Sequence, residues 1–351
     1  MSIFSHPDFD GHEAVHVFCD AASGLRAIIA VHNTNRGPAS GGTRFWHYAS
    51  DADALADVLR LSRAMSYKNA MARLDLGGGK AVILKPDEPF DRDALFAAYG
   101  RAVDTISGTY ITAEDVGVSP RDMTTIKTQT DHVAGLPEGK NASGDPSPVT
   151  AEGVFRGVRV AAERRFGTRD LSGMTVAVQG LGSVGYALAG HLANAGATLN
   201  VADINPDILR KAEAELGATV VPVEAVHSVD ADIFAPCALG GAINDRTLPE
   251  LKAKVVAGAA NNQLASEDMD NALKARGILY APDYVINAGG IINVAAEVAG
   301  DYDPSWVNAK LDQLEETLGE VFDRAVAEDR TTAEVADEMA RDRMAVTRDW
   351  R

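Results

Sequence analysis

At 351 residues the chain is long enough for two domains of about 100–200 residues each. Its composition, 46% hydrophobic and 24% charged, is that of an ordinary globular protein and fits neither collagen, nor a coiled coil, nor a disordered chain. The formal net charge of −17 argues against nucleic acid as a partner, because an acidic surface repels phosphate backbones.

No stretch approaches the ~20 apolar residues of a membrane helix, so no membrane partner is expected. Cys19 and Cys237 form neither a metal pattern nor a disulfide framework, and Met1–Asp20 has neither the basic n-region nor the apolar h-region of a signal peptide. A reducing, cytoplasmic setting is expected. In that setting the sequon Asn141-Ala142-Ser143 would meet no glycosylation machinery.

Along the chain, Ala14–Cys19 and Leu25–His32 are rich in Val, Ile and Ala and are predicted strands. The first overlaps His12-Glu13-Ala14-Val15-His16, which matches the H-E-x-x-H of zinc proteases. That motif needs a helix to put both imidazoles on one face, whereas Val15 and Val17 alternate as in a strand, so no metal site is expected. Ser50 with Asp53 resembles a capping box, followed by Leu55, Val58, Leu59 and Ser62 at helical spacing. Gly77-Gly78-Gly79 is expected to stop regular structure before a strand at Lys80–Lys85. A helix at Asp91–Ser107 and a strand at Thr109–Ala113 follow, then an N-cap at Ser119 with proline in the first turn.

Turn formers crowd residues 134–149, and a domain boundary is read there. Beyond it strand and helix alternate, a rhythm that predicts a parallel sheet. The strands are Met174–Gln179, Thr198–Asp203, Ile233–Ala235, Val255–Ala257 and Ile278–Ala281; helices are read at Ala151–Arg165, Pro206–Leu216 and Ser266–Ala275, and Ser305–Ala345 is a charged helical tail.

The strand ending at Gln179 runs into Gly180-Leu181-Gly182-Ser183-Val184-Gly185. This G-x-G-x-x-G, after a strand and opening a helix, is the pattern of a Rossmann dinucleotide site. The glycines permit the turn, the approach of pyrophosphate and close helix–strand packing, while the helix N-terminus offers free N–H groups. Asp203, with Ile204 next to it, closes the following strand at the expected distance. Its carboxylate would accept ribose hydroxyls and repel a 2′-phosphate, which favours NAD over NADP, and no Arg follows nearby to receive that phosphate.

In the first half, Lys68 and Lys80 stand out, as does Asp115 at the end of a strand. Lys80 after the glycines is expected at an element end with little cover. Two lysines in one cleft would repel, and the more buried would lose its proton more readily and could act as a general base. Spacing alone cannot bring them together.

The strings Gly37-Pro38-Ala39-Ser40-Gly41-Gly42-Thr43-Arg44, Leu61–Asn69, Leu76-Gly77-Gly78-Gly79-Lys80, Gly258–Leu264 and Asn287-Ala288-Gly289-Gly290 resemble the amino acid dehydrogenase superfamily. Length and motif order are most similar to its leucine/phenylalanine/valine branch and its tryptophan-specific members, over nearly the whole chain.

The resemblance implies two α/β domains around a cleft. Residues 1–134 and 330–351 would form a substrate and oligomerisation domain, and residues 135–329 a Rossmann NAD domain. It implies reversible oxidative deamination of an L-amino acid to the 2-oxo acid and ammonia, by a homo-oligomer. Lys68 would bind the α-carboxylate with Asn261 and the Gly41-Gly42 backbone, Lys80 would be the base, and Asp115 would shuttle protons. Thr150, Ala238 and Asn261 would hold the nicotinamide end. Ser40, Ala113, Ile291 and Val294 would line the side-chain pocket, which lacks a cation for a γ-carboxylate and suits branched aliphatic side chains. Ser40, where the aliphatic enzymes usually carry leucine, leaves room for phenylalanine or tryptophan. A non-catalytic NAD sensor on the same fold is the competing reading.

Overall fold

The computed structural model describes residues 3–136, 138, 142, 144–300 and 302–350. The turn-rich stretch read around 134–149 lies partly outside this set, Asn141 included. The chain is α/β and divides into two compact units, one of Met1–Asp145, Val294–Pro304 and Ala340–Arg351, the other of Pro146–Asn293 and Ser305–Met339. Among the described residues no helix is long and apolar enough to cross a membrane.

In the first unit, β1 (Ala14–Asp20), β2 (Leu25–Asn33), β3 (Ala39–Trp46), β4 (Gly77–Leu84) and β5 (Tyr110–Glu114) form a sheet in the order β1-β2-β4-β3-β5. β2 is antiparallel to both neighbours, and β3 runs parallel to β4 and β5. Alternate side chains go to opposite faces. Ile28, Ala30 and Val82 meet Ala54, Val58 and Leu59 of α1 (Asp51–Met71). Ala27, Ile29, Ala81 and Ile83 cluster with Leu95, Phe96 and Tyr99 of α2 (Arg92–Thr105) and Met123 of α3 (Pro120–Lys127). Each large apolar side chain so buried contributes about 1.5–3 kcal/mol.

The helix starts follow their caps. Ser50 Oγ accepts the Asp53 N–H at 3.2 Å, but the Asp53 carboxylate takes the Ser50 hydroxyl rather than its backbone N–H, so half of the expected box forms. Ser119 and Asp122 form the whole of theirs. The tail of the unit is tied down by Arg341 to the Tyr67 hydroxyl at 3.0 Å and by the Trp350 indole to Thr34 O at 2.7 Å.

Two expectations for this unit fail. Gly77–Gly79 does not interrupt regular structure but opens β4, and Lys80 is not at an element end but inside the strand, 6% exposed. A Cβ on Gly78 would fall on the Ser66 backbone of α1, and one on Gly79 would lie 2.6 Å from the Tyr110 ring. The glycines let neighbours press against the strand. For the same reason β3, carrying Gly41 and Gly42, is a strand that composition did not announce. His12 precedes β1 and bonds Leu59 O and Ser62 Oγ, each at 3.0 Å, while His16 lies in β1, so the H-E-x-x-H string is not helical. His32 stacks edge-on against His12; burial and that neighbour push its pKa down to about 4, leaving it a neutral packing group.

The second unit opens with α4 (Ser147–Phe166) and carries β6 (Thr175–Gln179), β7 (Thr198–Ala202), β8 (Thr219–Val220), β9 (Ile233–Pro236), β10 (Val255–Val256) and β11 (Leu279–Tyr280). All pairs are parallel, in the order β11-β10-β9-β6-β7-β8. Chain direction across the sheet reverses between β6 and β9, and ligands of such sheets sit at the carboxyl ends of the strands flanking that switch. α5 (Ser183–Asn194) follows β6 directly, and α6 (Pro206–Leu216) follows β7.

Candidate active site

Lys80 Nζ donates to Asp115 Oδ2, joining the middle of β4 to the residue that follows β5. β3 lies between those strands, so the pair must meet across it. Gly42 of β3 pairs with Ala113 of β5, and a Cβ at Gly42 would lie 2.6 Å from Glu114 O and 2.8 Å from Asp115 Cβ. The missing side chain is what lets carboxylate and ammonium approach. Oδ1 of Asp115 accepts the Val116 N–H at 2.6 Å. Burial raises the Asp115 pKa, but Lys80, then Arg44 and the Val116 N–H, outweigh it and hold the carboxyl below its usual range. The group is therefore ionised at neutral pH.

Lys68 is half-buried in the last turn of α1, two residues beyond the Ser66 that presses on Gly78. Both lysines thus come from elements packed face to face. Gly41 is fixed through its carbonyl, which accepts the Tyr110 hydroxyl at 2.6 Å. Ser40 is fully buried and its Oγ has no hydrogen-bond partner. Ala113 and Val294 are buried as well, 8% and 9% exposed, and Ile291 is half-buried in the other unit.

The dinucleotide motif stands at the switch point of the second sheet. Gly180 has φ of +94°, and a Cβ there would lie 2.8 Å from that of Ala238; Gly185 is pressed by the Gly180 carbonyl. Gly182 is different: a Cβ there would meet nothing within 4 Å. It is the N-cap of α5, and no side chain caps the first-turn N–H groups there. Next to it a cavity of about 570 Å³ is lined by Gly180, Gly182, Asp203, Ile204, Ala238 and Leu239, among others. Ile204 and Leu239 are 91% and 88% exposed, large apolar side chains awaiting cover. These features fit a dinucleotide: a glycine turn, an acidic group and apolar walls in one hollow beside the start of α5.

Asp203 ties the loop together, accepting Leu181 N at 2.6 Å and Asn205 N at 2.8 Å. Thr150 in the first turn of α4 faces Gly290, whose Cβ would lie 2.9 Å from its Oγ1. Asn261 is exposed and its Oδ1 accepts from Asn287 Nδ2 at 2.9 Å.

Reading the sequence missed Arg246, which lines the cavity of Asp203 though far from it in the chain. It also missed Arg44, Asp57 and Tyr48 behind Asp115. With a cation already in the cavity, exchange of Asp203 for alanine is expected to weaken NAD about ten- to a hundredfold and NADP much less. Loosening of the loop would hit both dinucleotides alike, so the ratio of the two Kd values is the readout. An unchanged ratio would place ribose recognition elsewhere.

Comparison with known proteins points the same way. The profile of the Glu/Leu/Phe/Val dehydrogenase dimerisation domain matches residues 12–132, and that of Glutamate/Leucine/Phenylalanine/Valine dehydrogenase matches residues 200–347. The chain is 48% identical to the leucine dehydrogenase of Geobacillus stearothermophilus, covering 99% of this chain and 95% of that protein. It is 46% identical to the valine dehydrogenase of Streptomyces coelicolor, over 98% of this chain and 95% of the other. The crystal structure of L-tryptophan dehydrogenase from Nostoc punctiforme superposes with a TM-score of 0.85 at 44% identity, covering 95% of this chain and 96% of that one.

Proposed function

From the premise that this chain belongs to the Glu/Leu/Phe/Val dehydrogenase family, we propose how its own residues carry out the family's reaction. It is an amino acid dehydrogenase of the leucine type, an oxidoreductase that deaminates an L-amino acid with a nicotinamide dinucleotide. The reading takes NAD as the dinucleotide and a branched aliphatic side chain as the substrate's. In balance, the amino acid, water and NAD⁺ give the 2-oxo acid, ammonium, NADH and a proton.

The observation that carries the residue roles is the buried Lys80–Asp115 pair, set across a glycine in the sheet. When bound, NAD would supply the acceptor for the hydride that leaves Cα. Gly182, Ser183, Val184 and Asp203 would hold its phosphates and ribose, and Thr150, Ala238 and Asn261 its nicotinamide end. The Lys68 ammonium anchors the substrate carboxylate with the Gly41-Gly42 backbone, a role that the family resemblance extends to Asn261. Lys80 takes a proton from the water that attacks the substrate imine. Asp115, one hydrogen bond away, takes and returns protons at the departing nitrogen. None of Ser40, Ala113, Ile291 and Val294, the residues assigned to the substrate side chain, is a cation that could pair a γ-carboxylate. The domain matched as a dimerisation domain supports a homo-oligomer, and the setting is proposed to be cytoplasmic.

The test is a panel of 2-oxo acids with ammonia and NADH, followed at the NADH absorbance. Turnover is expected to be fastest with the oxo acids of leucine, valine and isoleucine and near zero with 2-oxoglutarate. The small, fully buried Ser40 and the likeness to the Nostoc tryptophan enzyme favour one second reading, an aromatic substrate, which preference for the oxo acid of tryptophan or phenylalanine would establish. No turnover with any member would leave the non-catalytic NAD sensor.

A further inference from the structure

We infer that Arg44, locked in place by Asp57 and Tyr48, is a positioning residue that takes over Asp115 Oδ2 when Lys80 turns to the substrate. The inference rests on the reaction proposed above and extends it to a residue outside those assigned to substrate and dinucleotide.

Arg44 lies on β3, two residues past Gly42, and its side chain is 28% exposed. Nη1 reaches both oxygens of Asp57, at 3.1 and 2.9 Å. Asp57 is itself only 11% exposed and is filled by the Tyr48 hydroxyl at 2.9 Å and Arg60 Nη2 at 3.1 Å. One end of the guanidinium is thus fixed from α1 and from the turn after β3. The other end is Nε, which is buried and has no hydrogen-bond partner. It stands 3.6 Å from Asp115 Oδ2, just beyond hydrogen-bond reach, while that oxygen is held by Lys80.

A buried donor left unmade in a resting site needs an explanation, and the reaction supplies one. Lys80 must release Oδ2 to work on water or on the substrate nitrogen. At that moment Asp115 would lose its partner and could rotate or take up a stray proton. Nε stands 3.6 Å from that oxygen and needs to close only a fraction of an ångström to bond it. The carboxylate then keeps its place and its charge until Lys80 returns. Asp115 is faced by Lys80 from β4, by Arg44 from β3 and by its neighbouring Val116 N–H; behind Arg44 stand Asp57 and Arg60 of α1 and Tyr48. Burial pushes the Asp115 carboxyl up and the two cations push it down. Removal of Arg44 therefore lifts it.

The experiment is kcat and KM for oxidative deamination of L-leucine against pH, in the wild type, Arg44→Gln, Arg44→Lys and Asp57→Asn, with dinucleotide Kd alongside. Activity falls with pH as the Lys80–Asp115 pair takes up protons, and loss of the neighbouring Arg44 cation makes that uptake easier. Arg44→Gln is expected to lower kcat about ten- to a hundredfold and to move the acid limb up by about one pH unit, with dinucleotide Kd unchanged. Arg44→Lys should return the limb without restoring kcat, since an ammonium keeps the charge but not the fork. If Arg44→Gln does not fold, Asp57→Asn serves. It frees the guanidinium, and a several-fold loss of kcat is expected. An unmoved limb in Arg44→Gln, or an unchanged kcat in Asp57→Asn where that variant serves, would reduce Arg44 to packing and overturn the inference. A wild type that turns over no amino acid overturns instead the reaction on which it stands.

Discussion

Exchange of Lys80 for alanine is expected to lower kcat about a thousandfold while leaving dinucleotide affinity unchanged. Lys80 is the buried amine hydrogen-bonded to the ionised Asp115, and no other amine in this stretch of β4 can replace it. The fold should survive. Asp115 retains Val116 N–H and the Arg44 cation, and its side chain is 20% exposed, so the loss of stability stays below the about 3–5 kcal/mol typical of breaking a fully buried pair. The glycine loop belongs to the other unit, which is why NADH titration should give the wild-type Kd. Added primary alkylamine, small enough for the space vacated by the lysine stem, should recover part of the rate with a dependence on free-base concentration. A variant that retains more than about a tenth of kcat, or that no amine rescues, would mean the base lies elsewhere.

What was legible in the sequence was local or periodic. The cap Ser119-Pro120 is a short-range device, and the structure forms it with Asp122 as the residue types require. The βαβ rhythm after residue 174 reports a parallel sheet because each strand must be covered on both faces, and G-x-G-x-x-G in that rhythm marks the switch point. What was not legible was set by neighbours distant in the chain. Gly77–Gly79 reads as a breaker on local preference, yet those glycines sit in a strand because Asn33, Ser66 and Tyr110 press on them. The same misreading exposed Lys80 on paper and buried it in the fold. Arg44 ends the string Gly37–Arg44, but its link to Asp57 runs between a strand and the helix after it, and only the packing of α1 on the sheet makes that pair. Arg246 reaches the cavity of Asp203 only through the parallel crossover that sets β9 beside β6.

The glycines at 42 and 182 are expected to separate folding from ligand binding when each is replaced by alanine. At Gly42 the new Cβ would stand 2.6 Å from Glu114 O and 2.8 Å from Asp115 Cβ, closer than such atoms can rest. The first contact is backbone, so β5 must shift or β3 must bow, and either movement draws Asp115 away from Lys80. Overpacking of this kind costs about 1–3 kcal/mol, and displacing a reacting group by about 1 Å can cost a hundredfold in rate. Gly42→Ala should therefore lower both Tm and kcat, with NADH affinity intact. At Gly182 the new Cβ meets nothing within 4 Å, and the backbone, at φ −62° and ψ −173°, is one alanine adopts freely. The methyl group would occupy only the space through which a pyrophosphate approaches the N-terminus of α5. Gly182→Ala should keep the wild-type Tm and weaken the dinucleotide, raising its Kd while kcat at saturating cofactor changes little. The opposite pattern at either position, a destabilised Gly182→Ala or a fully active Gly42→Ala, would show that the two glycines serve different ends from those their surroundings indicate.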